Sequence, residues 1–180
     1  MDFQKIVRAG DIVLTSSRSP LACLIRGKTA GLRQMFNLRV ANHAGIVYRD
    51  GGLFKIAEML TKIHSTPFED YTRKDFWKDE IIYVKRSKFF DNDAHQYAVN
   101  AKIVFDLSQA IKYDYKGILE YLWPKIEDRP DKYYCSEYCR HVTQHCGSDV
   151  EHPRYKKEDD IPPIGIQTAF NYTTVWSAFA

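Results

Sequence analysis

The sequence has no block of about five or six like charges, and its 26 basic residues nearly balance its 23 acidic residues, which leaves a net charge of +3. Proteins that bind nucleic acids depend on concentrated basic surfaces that neutralise phosphate groups. The charge pattern therefore argues against a nucleic acid as a partner.

The sequence also has no long hydrophobic run. No segment approaches the roughly 20 apolar residues that a membrane-spanning helix needs, and the opening residues MDFQKIVRAG contain no apolar stretch of signal-peptide length. These absences predict a cytoplasmic protein. A hydrophobic content of 44%, without an internal repeat or a long linker, predicts one domain over residues 1–180.

Cysteine is sparse, and the paired C-x2-C spacing that is typical of structural zinc sites is missing. The four cysteines are Cys23, Cys135, Cys139 and Cys146. The last three fall on one predicted helix, where the geometry for a disulfide is poor, so we expect reduced thiols. A zinc site is an alternative because the same helix carries two histidines, His141 and His145. These project from a different face than the cysteines, so we expect no zinc.

The chain carries alternating signals for strands and helices. Residues 10–15 predict a strand, and Ser19-Pro20 predicts the start of a short helix that ends near Gly27. Residues 43–59 form two alternating runs joined by Asp50-Gly51, a pair favoured in two-residue hairpin turns. Further predictions are a loop at 65–79, a strand at 80–86, a helix from Asp93, a short helix at 115–123, a helix at 135–146, and a tail that adds a strand or packs over the core. This order predicts an α+β domain.

The hairpin brings a histidine and a carboxylate together. If Asp50 and Gly51 form the loop, His43 lies directly opposite Glu58, with Cβ atoms roughly 4.5 to 5.5 Å apart. If the loop is Gly51-Gly52 instead, Glu58 moves to a diagonal position on the same face, because a two-residue shift preserves side-chain parity. In either register the carboxylate can fix the imidazole tautomer and leave the other ring nitrogen free. The alternative is a surface hairpin with an incidental His and Glu.

Cys135 precedes the helical run in the segment YYCSEYCRHV, so we predict it at the helix N-terminus. There the unpaired amides and the positive end of the helix dipole favour a thiolate, and the Cys135 amide can serve a developing oxyanion. Cys, His and a carboxylate are the ingredients of covalent acyl transfer. The alternative is burial, since all three cysteines follow the spacing of a buried helix face. We adopt burial for Cys139 and Cys146.

Several of these segments resemble the permuted papain-like amidases of the YaeF/YiiX group, which belong to the NlpC-type cysteine hydrolases. The matching segments are GDIVLT, NHAGIVY with a downstream AEM, YDY and YYCSEY. In that family the histidine strand precedes the cysteine helix in sequence, as His43 precedes Cys135 here. The resemblance implies a circularly permuted papain-like (NlpC-type) α+β fold, in which an antiparallel sheet or small barrel packs against helices.

By this resemblance Cys135 is the nucleophile, His43 the general base and Glu58 the residue that orients the imidazole, with no metal or organic cofactor. The implied reaction is hydrolysis or transfer at a carbonyl through an acyl-enzyme, and we expect an amidase or peptidase with a peptide or amide substrate. One alternative is an acyltransferase, thioesterase or lipase for lipid acyl groups, with transient membrane-surface contact through the apolar and basic segment 24–39. A non-catalytic binding domain is the other.

Overall fold

The computed structural model describes residues 5–72, 80–89, 92–114, 133–152 and 161–179. Within these residues the strands are β1 (Ile12–Ser16), β2 (His43–Asp50), β3 (Leu53–Met59), β4 (Ile63–Pro67), β5 (Glu80–Ser87) and β6 (Tyr172–Ser177). The helices are α1 (Pro20–Ala30), α2 (Asp93–Gln109), α3 (Cys135–His145) and α4 (Pro163–Gln167), with short 3-10 helices at Leu32–Gln34 and Phe68–Thr72. The predicted α+β class is confirmed.

The strands form one sheet in the order β4-β3-β2-β1-β5-β6, and every neighbouring pair is antiparallel. Successive side chains of a strand point to opposite faces, so Ile46 and Val47 enter different clusters. Ile46 joins the larger core, which packs the sheet against α2 and α3. Val47 joins a smaller cluster with Ile56 and Phe68 on the other face. The helix α3, which begins with Cys135, therefore packs on the face of the larger core, against the hairpin strands β2 and β3.

Two helices begin where the sequence predicts. Ser19 caps α1, because its hydroxyl oxygen accepts a hydrogen bond from the Ala22 amide at 3.2 Å. Asn92 caps α2 in the same way, with its Oδ1 accepting from the His95 amide at 2.9 Å.

No helix in the described parts of the chain has the length and apolar character needed to cross a membrane.

The predicted end of α1 at Gly27 is wrong. The helix continues to Ala30 and ends at Gly31, whose φ of 96° lies in the region that glycine favours. Gly27 lies inside the helix and is buried, and a Cβ at this position would lie 2.9 Å from the Cε of Met35. Because this atom is the free end of a flexible side chain, a small shift of Met35 would relieve the contact.

The hairpin register differs from the first prediction and matches its alternative. Asp50 pairs with Leu53, so Gly51 and Gly52 form the loop. Their φ values are 57° and 88°, and glycine adopts such positive values without steric cost. The wrong assignment to Asp50-Gly51 would have required a non-glycine residue at positive φ. Glu58 consequently faces Gly45 and lies diagonally across from His43.

The segment predicted as a polar loop at 65–79 contains β4 and a 3-10 helix in its described part. Within the described residues β4 is an edge strand of the sheet with β3 as its one strand neighbour, and this position tolerates polar residues and the closing Pro67. The tail adds the strand β6, which is one of the two outcomes predicted for it. The predicted short helix at 115–123 and residues 73–79 lie outside the described residues.

Gly45 is predicted to be intolerant of a side chain. A Cβ at this position would meet Cγ2 of Ile56 inside van der Waals contact and the backbone oxygen of Ala57 at 3.2 Å. Ile56 is 1% exposed and has little room to move. Gly45→Ala should therefore lower the free energy of unfolding by about 1–3 kcal/mol in urea denaturation.

A double-mutant cycle with Ile56→Ala tests whether this contact is the cause. If the methyl group of Ile56 is the obstacle, Gly45→Ala costs less stability in the Ile56→Ala background than in the wild type. Equal costs in both backgrounds would contradict the steric explanation.

Candidate active site

Cys135 is the first residue of α3, as predicted. The turn that precedes it is fixed by a hydrogen bond of 3.0 Å from the Tyr134 amide to Glu137 Oε2. As the first helical residue, Cys135 has a backbone amide without a partner in the helix. The residue is 5% exposed and borders a groove. Cys135 is thus almost fully covered by protein and forms part of the groove wall.

His43 and Glu58 meet as the hairpin parity predicts. Nε2 of His43 lies 2.8 Å from Oε2 of Glu58, and the two residues are 9% and 2% exposed. Glu58 occupies Nε2, and Cys135 interacts electrostatically with the His43 ring, so Nδ1 is the ring nitrogen that remains for Cys135. The three residues named from the sequence are therefore neighbours in the fold.

Two further hydroxyl groups hold the carboxylate. Thr66 Oγ1 and Tyr71 OH each donate a short hydrogen bond to Glu58. Sequence reasoning missed both, because they belong to β4 and the 3-10 helix that were predicted as loop. The register would have indicated Thr66, since it pairs with Ile56 and so shares the face of Glu58. Nothing in the local sequence pattern points to Tyr71.

The electrostatics of the pair favour its charged form. Burial lowers the pKa of His43, but the charge and hydrogen bond of Cys135, together with those of Glu58, outweigh it and raise this pKa well above 6.5. Burial raises the pKa of Glu58, and the contacts with His43 and the hydroxyls of Thr66 and Tyr71 outweigh it, so this pKa falls below 4.5. An imidazolium between a carboxylate and the sulfur is the arrangement that these shifts describe.

The other two cysteines of α3 are buried, as predicted. Cys139 is fully buried and Cys146 is 7% exposed. Burial, reinforced by the charges of Cys135 and Glu58, raises the pKa of Cys139 well above 9.0, and burial also raises that of Cys146. Both thiols are therefore held in their neutral form. All four cysteines are free of disulfides, in agreement with the predicted reduced thiols.

A groove leads to Cys135 between α1 and α4. The space between its walls is about 430 Å³ when the part that is open to solvent is included. Its lining residues are Leu21, Leu24, Ile25, Pro162 and Pro163 together with Lys28, Thr29, Asn42, Tyr134 and Cys135, and the surface that they expose to the groove is almost entirely apolar.

No group of three or more His, Cys, Asp or Glu side chains has the geometry of a metal site in the described residues. The helix that suggested zinc in the sequence belongs to this described part. Its three cysteines and two histidines therefore do not form a ligand cluster.

The fold and these three residues define a class: an α+β protein in which a strand histidine precedes a helix cysteine, as in permuted papain-like folds. Neither a protein-family model nor a curated protein matches the sequence. Among solved structures the chain is similar to YiiX from Escherichia coli O157:H7, described as a metalloprotein, with a TM-score of 0.70 and 19% identity over 96% of this chain and 98% of that chain. At this identity the likeness is one of fold. The predicted permuted papain-like fold of the YiiX group is thus confirmed.

The shifts at His43 and Glu58 predict a pH window for the stability that the pair contributes. The pKa of His43 is raised, so its contribution is full below 6.5 and is lost as the pH rises through the folded pKa. The pKa of Glu58 is lowered, so its contribution is present above 4.5 and is lost as the pH falls through the folded pKa. Glu58→Gln, which removes the charge, should cost about 2 kcal/mol inside this window and less at either end.

Urea denaturation of the wild type and Glu58→Gln across a pH series measures this difference. Glu80→Gln, at an exposed position at the start of β5, is the matched control and should show no such window. A cost for Glu58→Gln that does not vary with pH would show that the buried pair is not charged.

Proposed function

We propose that the protein is a cysteine hydrolase that cleaves an amide or peptide bond through an acyl-enzyme on Cys135. The observation that carries this proposal is the buried series of contacts from Glu58 through His43 to Cys135, in which the pKa of His43 is raised. Such a series supplies a nucleophile, a proton carrier and a group that orients the carrier. The groove at Cys135 gives a substrate access to the sulfur.

Acylation would begin when the Cys135 thiolate attacks the substrate carbonyl carbon. The C–S bond forms, the carbonyl electrons move to oxygen, and the amide of Cys135 donates to that oxyanion. As the oxyanion collapses, the C–N bond breaks and the His43 imidazolium gives its proton to the leaving amine. Glu58 keeps the imidazole in the required orientation throughout.

Deacylation would return the enzyme to its first state. Neutral His43 takes a proton from a water molecule as that water attacks the thioester carbon. The second oxyanion collapses, the C–S bond breaks, and the carboxylic acid leaves while the thiolate is restored. Each step needs only the substrate, water and the three side chains.

YiiX is described as a metalloprotein, and this description raises the question of a metal here. The residues that the structure describes do not fit a metal centre, because they contain no suitable cluster of His, Cys, Asp or Glu. The proposed reaction therefore has no step through a metal.

A second candidate function is the hydrolysis or transfer of a lipid acyl group with the same three residues. The aliphatic wall of the groove favours it, since such a surface can accommodate an acyl chain. Leu32 and Phe36, just after α1, are 79% and 80% exposed, and the basic residues Lys28 and Arg33 lie in the same short segment. Apolar side chains among cations suit transient contact with an anionic lipid surface.

Cys135→Ala should abolish the covalent acyl-enzyme and all hydrolysis, because the variant lacks the nucleophile. Intact-protein mass spectrometry after incubation with a peptide p-nitroanilide or with p-nitrophenyl butyrate should show one acyl group on the wild type and none on the variant. Turnover should persist in EDTA.

Cys139→Ala is the matched control, since it removes a neutral buried thiol from the same helix and should leave acylation in place. A wild type that forms no acyl-enzyme with amide or ester probes would contradict hydrolysis and favour a binding domain. Loss of turnover in EDTA would show that a metal takes part.

The lipid candidate predicts a preference for long acyl chains that depends on the groove. Leu24→Asp should reduce turnover of p-nitrophenyl palmitate by about tenfold, while turnover of p-nitrophenyl butyrate changes little. Leu53→Asp, at the exposed tip of the hairpin, is the control and should alter neither rate.

The same candidate predicts that the wild type sediments with phosphatidylcholine vesicles only when they also contain phosphatidylglycerol. If Leu24→Asp leaves the ratio of the two ester rates unchanged, the groove does not hold the acyl chain. In that case an amide or peptide remains the proposed substrate.

A further inference from the structure

Arg26 is a buried cation whose contacts within the described residues are all with neutral groups. Its side chain is fully buried, and Nη1 donates to Ser16 Oγ at 3.0 Å, to the Ser17 backbone oxygen at 2.8 Å and to Asn42 Oδ1 at 2.8 Å. Nε donates to the Met35 backbone oxygen at 3.0 Å. Among the described residues no carboxylate forms an ion pair with it. A buried charge without a counter-charge is costly, so its position requires an explanation.

The contacts of Arg26 fix the side-chain amide of Asn42. Asn42 Oδ1 accepts from the Ser17 amide at 2.9 Å as well as from Arg26. Because both neighbours can only donate, the oxygen must face them, and Nδ2 must point the other way. In the described parts of the chain no acceptor takes a hydrogen bond from Nδ2. Asn42 is one of the residues that line the same groove as Cys135, so its side-chain amide belongs to the same part of the fold as the proposed nucleophile.

The reaction needs a donor of this kind. Attack of the sulfur on a carbonyl places a negative charge on oxygen, and acyl-transfer sites usually supply two preorganised donors for it. The Cys135 amide is one. Asn42 directly precedes His43 in the chain and lines the groove that Cys135 also lines, so it is the side-chain amide that we consider for the second donor. Hydrogen bonds in series polarise one another, and donation by Arg26 to Oδ1 makes Nδ2 a stronger donor.

We propose that Asn42 Nδ2 is the second oxyanion donor and that Arg26 is a positioning residue that aims it. This inference rests on the proposed cysteine hydrolase function. It assigns Asn42 a catalytic contact with the substrate oxygen, and it gives the buried charge of Arg26 a purpose near a developing anion.

Asn42→Asp tests the assignment with little change in shape. The carboxylate keeps an acceptor for Ser17 and Arg26 but replaces the donor with an oxygen. The burst of p-nitrophenol from p-nitrophenyl butyrate reports acylation, which forms an oxyanion, and its rate constant should fall about 10²- to 10³-fold. Alkylation of Cys135 by iodoacetamide forms no oxyanion, so its plateau rate across a pH series should be unchanged. Asn42→Ala, which removes the donor without adding charge, should behave in the same way.

Asn100→Asp is the matched control, because Asn100 Oδ1 also accepts a backbone amide hydrogen bond, from Arg49, at 2.7 Å, but lies outside the groove. Equal losses of burst and alkylation in Asn42→Asp would indicate a structural role and overturn the proposal. An unchanged burst in this variant would also overturn it. If the wild type neither releases p-nitrophenol nor forms an acyl-enzyme, the hydrolase function fails and the inference fails with it, which is a separate result. If it turns over without a burst, acylation is the slow step, and the steady-state rate replaces the burst as the measure of acylation.

Arg26→Lys tests the positioning role, since lysine keeps the charge but lacks the planar fork that binds several acceptors. The burst should slow while the alkylation rate is retained. In the Asn42→Asp background the same substitution should have no further effect on the burst, because its target is already absent. Additive losses would show that Arg26 does not act through Asn42.

Discussion

The structure around the site depends on a carboxylate that stays charged inside the protein. Glu58 is 2% exposed, and an isolated ionised carboxylate at such a position would be strongly destabilised. Three donors compensate it: the ring of His43 and the hydroxyls of Thr66 and Tyr71. With Glu58 fixed and charged, the imidazole has one available orientation and presents Nδ1 to Cys135. Gly45 contributes by its missing side chain, which leaves room across from Glu58.

Local rules in the sequence accounted for most elements of the fold. Caps at Ser19 and Asn92 and the two-residue periodicity of β2, β3 and β5 depend on near neighbours, so they can be recognised without the tertiary structure. The end of α1 was predicted wrongly at Gly27, because a glycine inside a helix gives the same local sequence signal as a glycine that ends one. The edge strand β4 was predicted as part of a loop, because its polar residues and closing Pro67 are typical of loops. Its pairing with β3, which the local sequence does not reveal, makes it a strand.

The site was predictable to the extent that it follows from parity and helix position. His43 and Glu58 share a face in either hairpin register, and Cys135 begins a helix, so all three could be named. The groups that support these three residues could not be named from the sequence. Tyr71 contacts Glu58, and Arg26 contacts Asn42, across distant segments of the chain, and no spacing in the sequence indicates these contacts. The roles that we propose for Asn42 and Arg26 rest on such contacts. The neighbouring fold of YiiX, at 19% identity, supports the architecture and leaves these residues to be tested individually.

The charge on His43 is the most direct test of this account, since it depends on both Glu58 and Cys135. A titration of the His43 imidazole followed by NMR would measure it in the wild type and in Cys135→Ala. The account predicts a pKa well above 6.5 in the wild type and a lower value in the variant. A His43 that titrates at or below 6.5, with no response to the loss of Cys135, would contradict the charged arrangement on which the proposed chemistry rests.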